Sequence, residues 1–236
     1  MELKSCQKLY RKETHRVKSP EDTFEIIDSL TEVAGITRIA DITKLDRLNI
    51  PVFSCIRPAA ADGAISVYNG KGVTTIAARV SAIMEGLERY SAELQTADDI
   101  IIDRYPALAE KYEILDPVEL ILPEGADPDG ILPWSSCHEI LFAEDGSLVL
   151  EELLVPAAAV YHPLPPQYYS VFRTGTNGIA SGNAIEEAFF HALCEIIERD
   201  AWSVCEAEKT AGRMIIDITD PDISGSVISI IIRPAE

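Results

Sequence analysis

Apolar and polar positions recur along the chain with two periods, and together they predict mixed helices and strands. Ser19-Pro20-Glu21-Asp22 reads as a helix start: a capping serine, then proline, then acids at the positive end of the helix dipole. Phe24, Ile27, Leu30 and Val33 mark the buried face of that helix, and Gly35 ends it. Ile36 to Ile42 alternates like a strand, and Pro51 to Pro58 is a short apolar run that reads as a buried one. Arg57, near the end of that run, is expected to be a solvated strand-end arginine, with an anion contact as the alternative. Ala64 to Tyr68 predicts another strand, Asn69 to Gly72 a turn, and Thr74 to Leu94 a long helix.

Past that helix the pattern weakens and then turns to β. Ile100 to Ile102 reads as a strand, Pro106 to Tyr112 as a short helix, and Asp116 to Leu120 as the start of another. Residues 123–133, rich in Pro, Gly and Asp, predict a surface loop and the best internal boundary. Glu139 to Phe142 and Leu148 to Val155, joined at Glu144-Asp145-Gly146, form a hairpin pattern. Ser170 to Arg173 is a further expected strand, and Asn183 to Glu206 a second long helix. Met214 to Ile216 and Val227 to Ile232 close the series as strands. Elements in this mixed order, without regular βαβ repetition, imply an α+β fold with mixed or antiparallel sheets. The first nineteen residues are basic (Lys4, Lys8, Arg11, Lys12, Arg16, Lys18) and aperiodic, an arm ordered on contact or a first strand with no legible function.

The two long helices repeat one another. Gly72 is followed thirteen residues later by Glu85, then Glu88 and Arg89; Gly182 is followed at the same offsets by Glu195, Glu198 and Arg199. At about 100° per residue, Ser81, Glu85 and Glu88 fall within about 60° of one another, and Asn183, Glu187, Glu195 and Glu198 within about 120°. His191 lies on the second strip. Ile83, Leu87, Leu193 and Ile197 are left as the core side of the two helices.

Charge gives these strips a meaning. The chain carries 20 Lys+Arg against 39 Asp+Glu, a net charge of −19, which argues against nucleic-acid and anionic-membrane partners. A polyphosphate would also be repelled unless a cation came with it. Facing carboxylates raise one another's pKa until a cation intervenes, and Mg2+ accepts a few carboxylates together with phosphate and water. Glycine-rich turns ahead of both helices offer backbone N–H groups to phosphate, and Lys71 between Gly70 and Gly72 is a compact cation at one of them. Glu-x-x-Glu-Arg alone is equally the pattern of a solvated helix face with i,i+4 pairs; its recurrence at a fixed distance from glycine favours a site.

No apolar run approaches the roughly 20 residues that span a bilayer, and the N-terminus lacks the order of a secretory signal, so a cytoplasmic location is expected. Five cysteines without Cys-x-x-Cys spacing predict reduced, packing thiols. Cys137 and His138 are adjacent, so a strand would point them apart and no Cys-His dyad is expected. The order of a phosphate-binding P-loop is absent, as are the serine-hydrolase, zinc-protease and dinucleotide motifs.

Taken together, Asn69-Gly70-Lys71-Gly72, Ser81-x-x-x-Glu85-x-x-Glu88-Arg89, Ala180-Ser181-Gly182-Asn183-x-x-x-Glu187 and Glu195-x-x-Glu198-Arg199-Asp200 resemble the YcaO family over roughly residues 50–210. The resemblance divides the chain into residues 1–49, an arm with a helix and a strand, and residues 50–236, a YcaO-like ATP-binding domain incomplete at its C-terminal end. It implies ATP and Mg2+ as cofactors and O-phosphorylation of a peptide-backbone amide, followed by azoline or thioamide formation, with thioamide weakly favoured. By position, Glu85, Glu195 and Glu198 are implied as Mg2+ ligands, with Glu88 and Glu187 supporting metal or nucleotide. Lys71, Ser81, Asn183 and Arg199 are implied as nucleotide contacts. A peptide or protein substrate and a TfuA-like or leader-peptide-binding partner follow from the same resemblance, and a homodimer is left open. The alternative is a catalytically incomplete nucleotide-binding or interaction domain of the same descent.

Overall fold

A stripe of small residues lets the first long helix lie almost directly on a sheet. The computed structural model describes residues 3–208, apart from 13, 46, 96–98, 144–147 and 169. In chain order it contains α1 (Pro20–Ile27), α2 (Leu30–Val33), β1 (Arg38–Asp41), β2 (Val52–Ile56), β3 (Val67–Lys71) and α3 (Thr75–Ala92). These are followed by β4 (Ile101–Arg104), α4 (Tyr105–Ala109), β5 (Ile131–Phe142), β6 (Leu148–Pro156) and α5 (Ile185–Glu208). Both sheets are three-stranded and antiparallel, ordered β1-β2-β3 and β4-β5-β6. The fold is α+β, as the mixed element order predicts.

Ala78, Ala82 and Gly86 recur every four residues on α3 and face β2 and β3. A Cβ on Gly86 would meet Cys55 Sγ at 2.7 Å, and one on Gly70 of β3 would meet Ala82 N at 1.9 Å. Ile27, Ile36, Phe53, Cys55, Tyr68 and Ile83 complete this first core. A second core gathers Leu108, Leu132, Trp134 and Leu154 around the other sheet, and Trp134 Nε1 donates to Asp103 O at 3.1 Å.

Several expectations are corrected here. The first helix is two short ones, because the chain turns at Asp28-Ser29; Ile27 is buried but Val33 is exposed. Ser19 caps as expected, its side chain accepting from Asp22 N at 3.1 Å, and Gly35 stops the second piece at φ 67°. Asn69 to Lys71 is not a turn but the second half of β3, with Tyr68 and Gly70 buried on one face. Ser170 to Arg173 forms no strand; Val171 and Phe172 pack against the second core from a bent segment. Arg57 is buried at 2% exposure and meets an internal carboxylate, Glu93, through two contacts of 3.0 Å.

The hairpin is present, with Trp134 opposite Pro156 and Phe142 opposite Leu148; its expected turn lies outside the described residues, as do the strands proposed after residue 208. The segment 123–130 joins two strands of one sheet, since β4 pairs with β5 across it. The chain falls into two compact units, Met1–Leu193 and Cys194–Glu236. All five cysteines are free, but only Cys55 is buried, and Cys194 and Cys205 are exposed. No helix among the described residues is long and apolar enough to cross a membrane.

Candidate nucleotide site

Within the first unit, the arm and the start of α1, the β3–α3 junction, α3 itself and the start of α5 line a cavity of about 380 Å³. From α3 come Ser81, Glu85 and Glu88, which the helical period places on one face. From the junction come Lys71 and Gly72, and from the approach to α5 come Ser181, Asn183 and Glu187. The arm adds Thr14, Arg16 and Lys18, so with Lys71 three cations face the three carboxylates Glu85, Glu88 and Glu187.

The two glycine-led helices begin alike. Gly72 precedes the first residue of α3 by three positions, and Gly182 stands the same distance before α5. A Cβ on Gly72 would meet Ala78 N at 2.6 Å, and one on Gly182 would meet Ala188 N at 2.6 Å. Each glycine thus lets the incoming backbone fold tightly over the residue six places ahead. The space a side chain would take at each junction is already filled by the first turn of the helix, so only glycine fits there.

The carboxylates are held unequally. Glu85 Oε1 accepts from Arg89 Nη2 at 2.7 Å and Nε at 2.9 Å, while Glu88 accepts from Ser181 Oγ at 3.1 Å. Burial, and then the neighbouring Glu85 charge, push the Glu88 carboxyl up to about 7. Glu187 is 3% exposed; it accepts from Val17 N at 2.7 Å and lies 3.8 Å from Arg16 Nε. Arg16 Nη1 also contacts His191 Nε2, whose pKa is lowered by burial and by Arg16. Asn183 Oδ1 accepts from Thr23 Oγ1 at 3.1 Å. An apolar cavity of about 800 Å³ lies behind the same wall, sharing Met84, Glu88 and Ser181 and lined further by Ile27, Leu87 and Tyr90.

The raised Glu88 pKa gives a testable sign. The unfolded carboxyl loses its proton near its ordinary pKa of 4.5, whereas the folded one keeps it to about 7, so the folded state binds more protons between those values. Stability is therefore expected to fall as pH rises through that window and to level off above it. Glu88→Gln should remove that slope, and thermal melts at pH 5 and 7.5 read the difference; parallel pH profiles for the two proteins would refute it.

Six of the nine residues singled out from the sequence line this cavity: Lys71, Ser81, Glu85, Glu88, Asn183 and Glu187. Glu195, Glu198 and Arg199 belong to the second unit, where Arg199 Nη2 lies 3.9 Å from Glu195 Oε1. The i,i+4 ion pair of a solvated face is thus present in both helices. Among the described residues no three His, Cys, Asp or Glu side chains are grouped closely enough to hold a metal ion. Ile83 is fully buried, but Leu193 and Ile197 are 44% and 60% exposed, so the expected core side of α5 is not buried. The arm's contribution was missed, because contacts between Arg16 or Val17 and α5 leave no periodic trace in sequence.

The chain covers about half the length of the curated relatives it matches. A protein of Methanothermobacter thermautotrophicus is 46% identical over 213 residues, spanning 89% of this chain and 52% of that protein. A protein from the tfuA 3′ region of Rhizobium leguminosarum bv. trifolii is 35% identical over 217 residues, spanning 90% of this chain and 49% of its own length. The structure of YcaO from Methanopyrus kandleri bound with AMPPCP and Mg2+ superposes with a TM-score of 0.64 at 28% identity, covering 87% of this chain and 49% of that one. Residues 69–230 match the model of the YcaO cyclodehydratases, described as ATP- and Mg2+-binding, the two ligands expected from the sequence. That match takes in both glycine-led helices and more than half of the chain, which belongs to the YcaO family.

Proposed function

We propose that this chain binds Mg-ATP in the cavity described above and serves an enzyme that phosphorylates the oxygen of a peptide-backbone amide, for thioamide rather than azoline formation. The observation that carries the reading is the meeting of Glu85 and Glu88 with Lys71, Arg16 and Lys18 around one cavity. A carboxyl raised by burial and then by its acidic neighbour is relieved by a divalent cation, and a triphosphate brought by that cation meets the basic arm and Gly72 at the cavity wall. Arg89 Nη1, buried without a hydrogen-bond partner among the described residues, is a further donor beside the acids.

The family resemblance assigns Glu85, Glu195 and Glu198 to Mg2+, and Lys71, Ser81, Asn183 and Arg199 to the nucleotide, with Glu88 and Glu187 in support. Mg2+ supplies charge neutralisation to phosphoryl transfer. The protein's own part is to place the phosphates and exclude water. In the proposed reaction the amide oxygen takes the γ-phosphoryl group and ADP leaves. A nucleophile then adds to the activated carbon, and phosphate departs with the original oxygen. External sulfide gives a thioamide; a neighbouring Cys, Ser or Thr side chain gives an azoline. The relative from the tfuA 3′ region supports a TfuA-like partner.

Calorimetry with Mg-AMPPCP tests the binding step. Glu85→Gln is expected to weaken binding by about tenfold or more, equivalent to about 1.4 kcal/mol; unchanged affinity would sink the assignment. Intact mass of a peptide co-expressed with a TfuA-like protein separates exchange of oxygen for sulfur from loss of one water.

A further inference from the structure

We propose that Glu186 and Phe190, which do not line the cavity, are positioning residues for nucleotide binding: they hold the N-terminal arm as one of its walls. The proposal rests on the nucleotide reading above. None of the described residues from 3 to 19 is buried, so the arm has no core of its own and its place depends on discrete contacts. Two of these lie outside the cavity, one helical turn apart on α5. Lys4 N donates to Glu186 Oε1 at 2.9 Å, and Lys8 Nζ stands 3.7 Å from the centroid of the Phe190 ring.

From there the arm carries the constraint inward. Tyr10 and Arg16 exchange two backbone hydrogen bonds of 3.0 Å, so fixing Lys4 and Lys8 fixes Tyr10 and, through it, Arg16. Val17 N then reaches Glu187, and Thr14, Arg16 and Lys18 face the cavity. Glu186 and Phe190 alternate with Glu187 and His191 at i,i+4 spacing, giving α5 one pair of residues for the outer arm and one for the inner. A wall hung on a coreless segment has a cost when it is loose. Any state with the arm displaced is not competent, and apparent affinity falls with the competent fraction.

The test uses the chain with its arm intact, and Mg-AMPPCP as the probe. The double variant Glu186→Ala/Phe190→Ala should bind about tenfold more weakly, from a cation–π contact and a hydrogen bond lost together. Trypsin should cut faster at Lys8, Arg11 and Lys12, while the thermal midpoint stays in place. Glu186→Gln and Phe190→Tyr keep the acceptor oxygen and the ring face, and should restore both affinity and protection. Unchanged affinity in the double variant overturns the proposal, as does a loss that the conservative pair fails to restore. Absence of binding by the wild-type chain would instead remove the nucleotide reading itself, and the positioning role with it.

Discussion

Arg57→Ala is expected to destabilise the first unit by about 3–5 kcal/mol, the cost of leaving a buried charge without its partner. The guanidinium makes two contacts of 3.0 Å with Glu93, donates from Nε to Ala34 O at 2.7 Å and from Nη1 to Tyr68 OH at 3.3 Å. Its carbon lies 6.0 Å and 5.4 Å from the ring centroids of Tyr68 and Tyr90. One residue therefore ties the end of α2, two strands and the C-terminal end of α3. Removing it strands the Glu93 carboxylate with Ala61 N, at 3.1 Å, as the remaining donor to it among the described residues. Urea denaturation of Arg57→Ala, Glu93→Ala and the double variant completes a thermodynamic cycle. The double variant should cost less than the sum of the singles, and additive losses would show that the pair is not coupled.

Gly70→Ala should cost about 3 kcal/mol or more, as overpacking does when the obstacle is backbone. The added methyl would meet Ala82 N at 1.9 Å, Ala78 O at 2.5 Å and Ala82 Cα at 2.6 Å, none of which can turn aside as a side-chain tip could. Relief requires β3 and α3 to move apart, and that shift would carry Lys71 and Gly72 away from Glu85. Nucleotide affinity should therefore fall with stability. Gly175→Ala is the control, since nothing lies within 4 Å of its added methyl; it should change stability by less than about 0.5 kcal/mol. Equal melting temperatures for the two variants would contradict the close approach.

Local signals were legible in the sequence and long-range ones were not. The Ser19 cap, the Gly35 stop, the hairpin and both long helices each depend on residues a few places apart, and the structure has them. The turn expected at Asn69 to Gly72 rested on its two glycines, yet Gly70 serves a helix passing overhead, a reason invisible within its own segment. Arg57 read as solvated because its partner Glu93 lies 36 residues away. Of the candidate site, the α3 strip was readable from helical arithmetic, and so were Lys71, Asn183 and Glu187. The basic segment read as an arm ordered on contact or a first strand, with no legible function. Its role as a wall follows from pairing Tyr10 with Arg16 and Val17 with Glu187, contacts that no periodicity announces.

The arm's place in that wall bears on where this protein can be cut. The family match begins at residue 69, partway along β3. A fragment started there would keep Lys71, Glu85, Glu88, Asn183 and Glu187, every acid and amide that identifies the cavity. It would lose β1, β2, Arg57 and the whole basic side formed by Thr14, Arg16 and Lys18. A boundary drawn at the start of that family match would thus deliver the motif without the chamber.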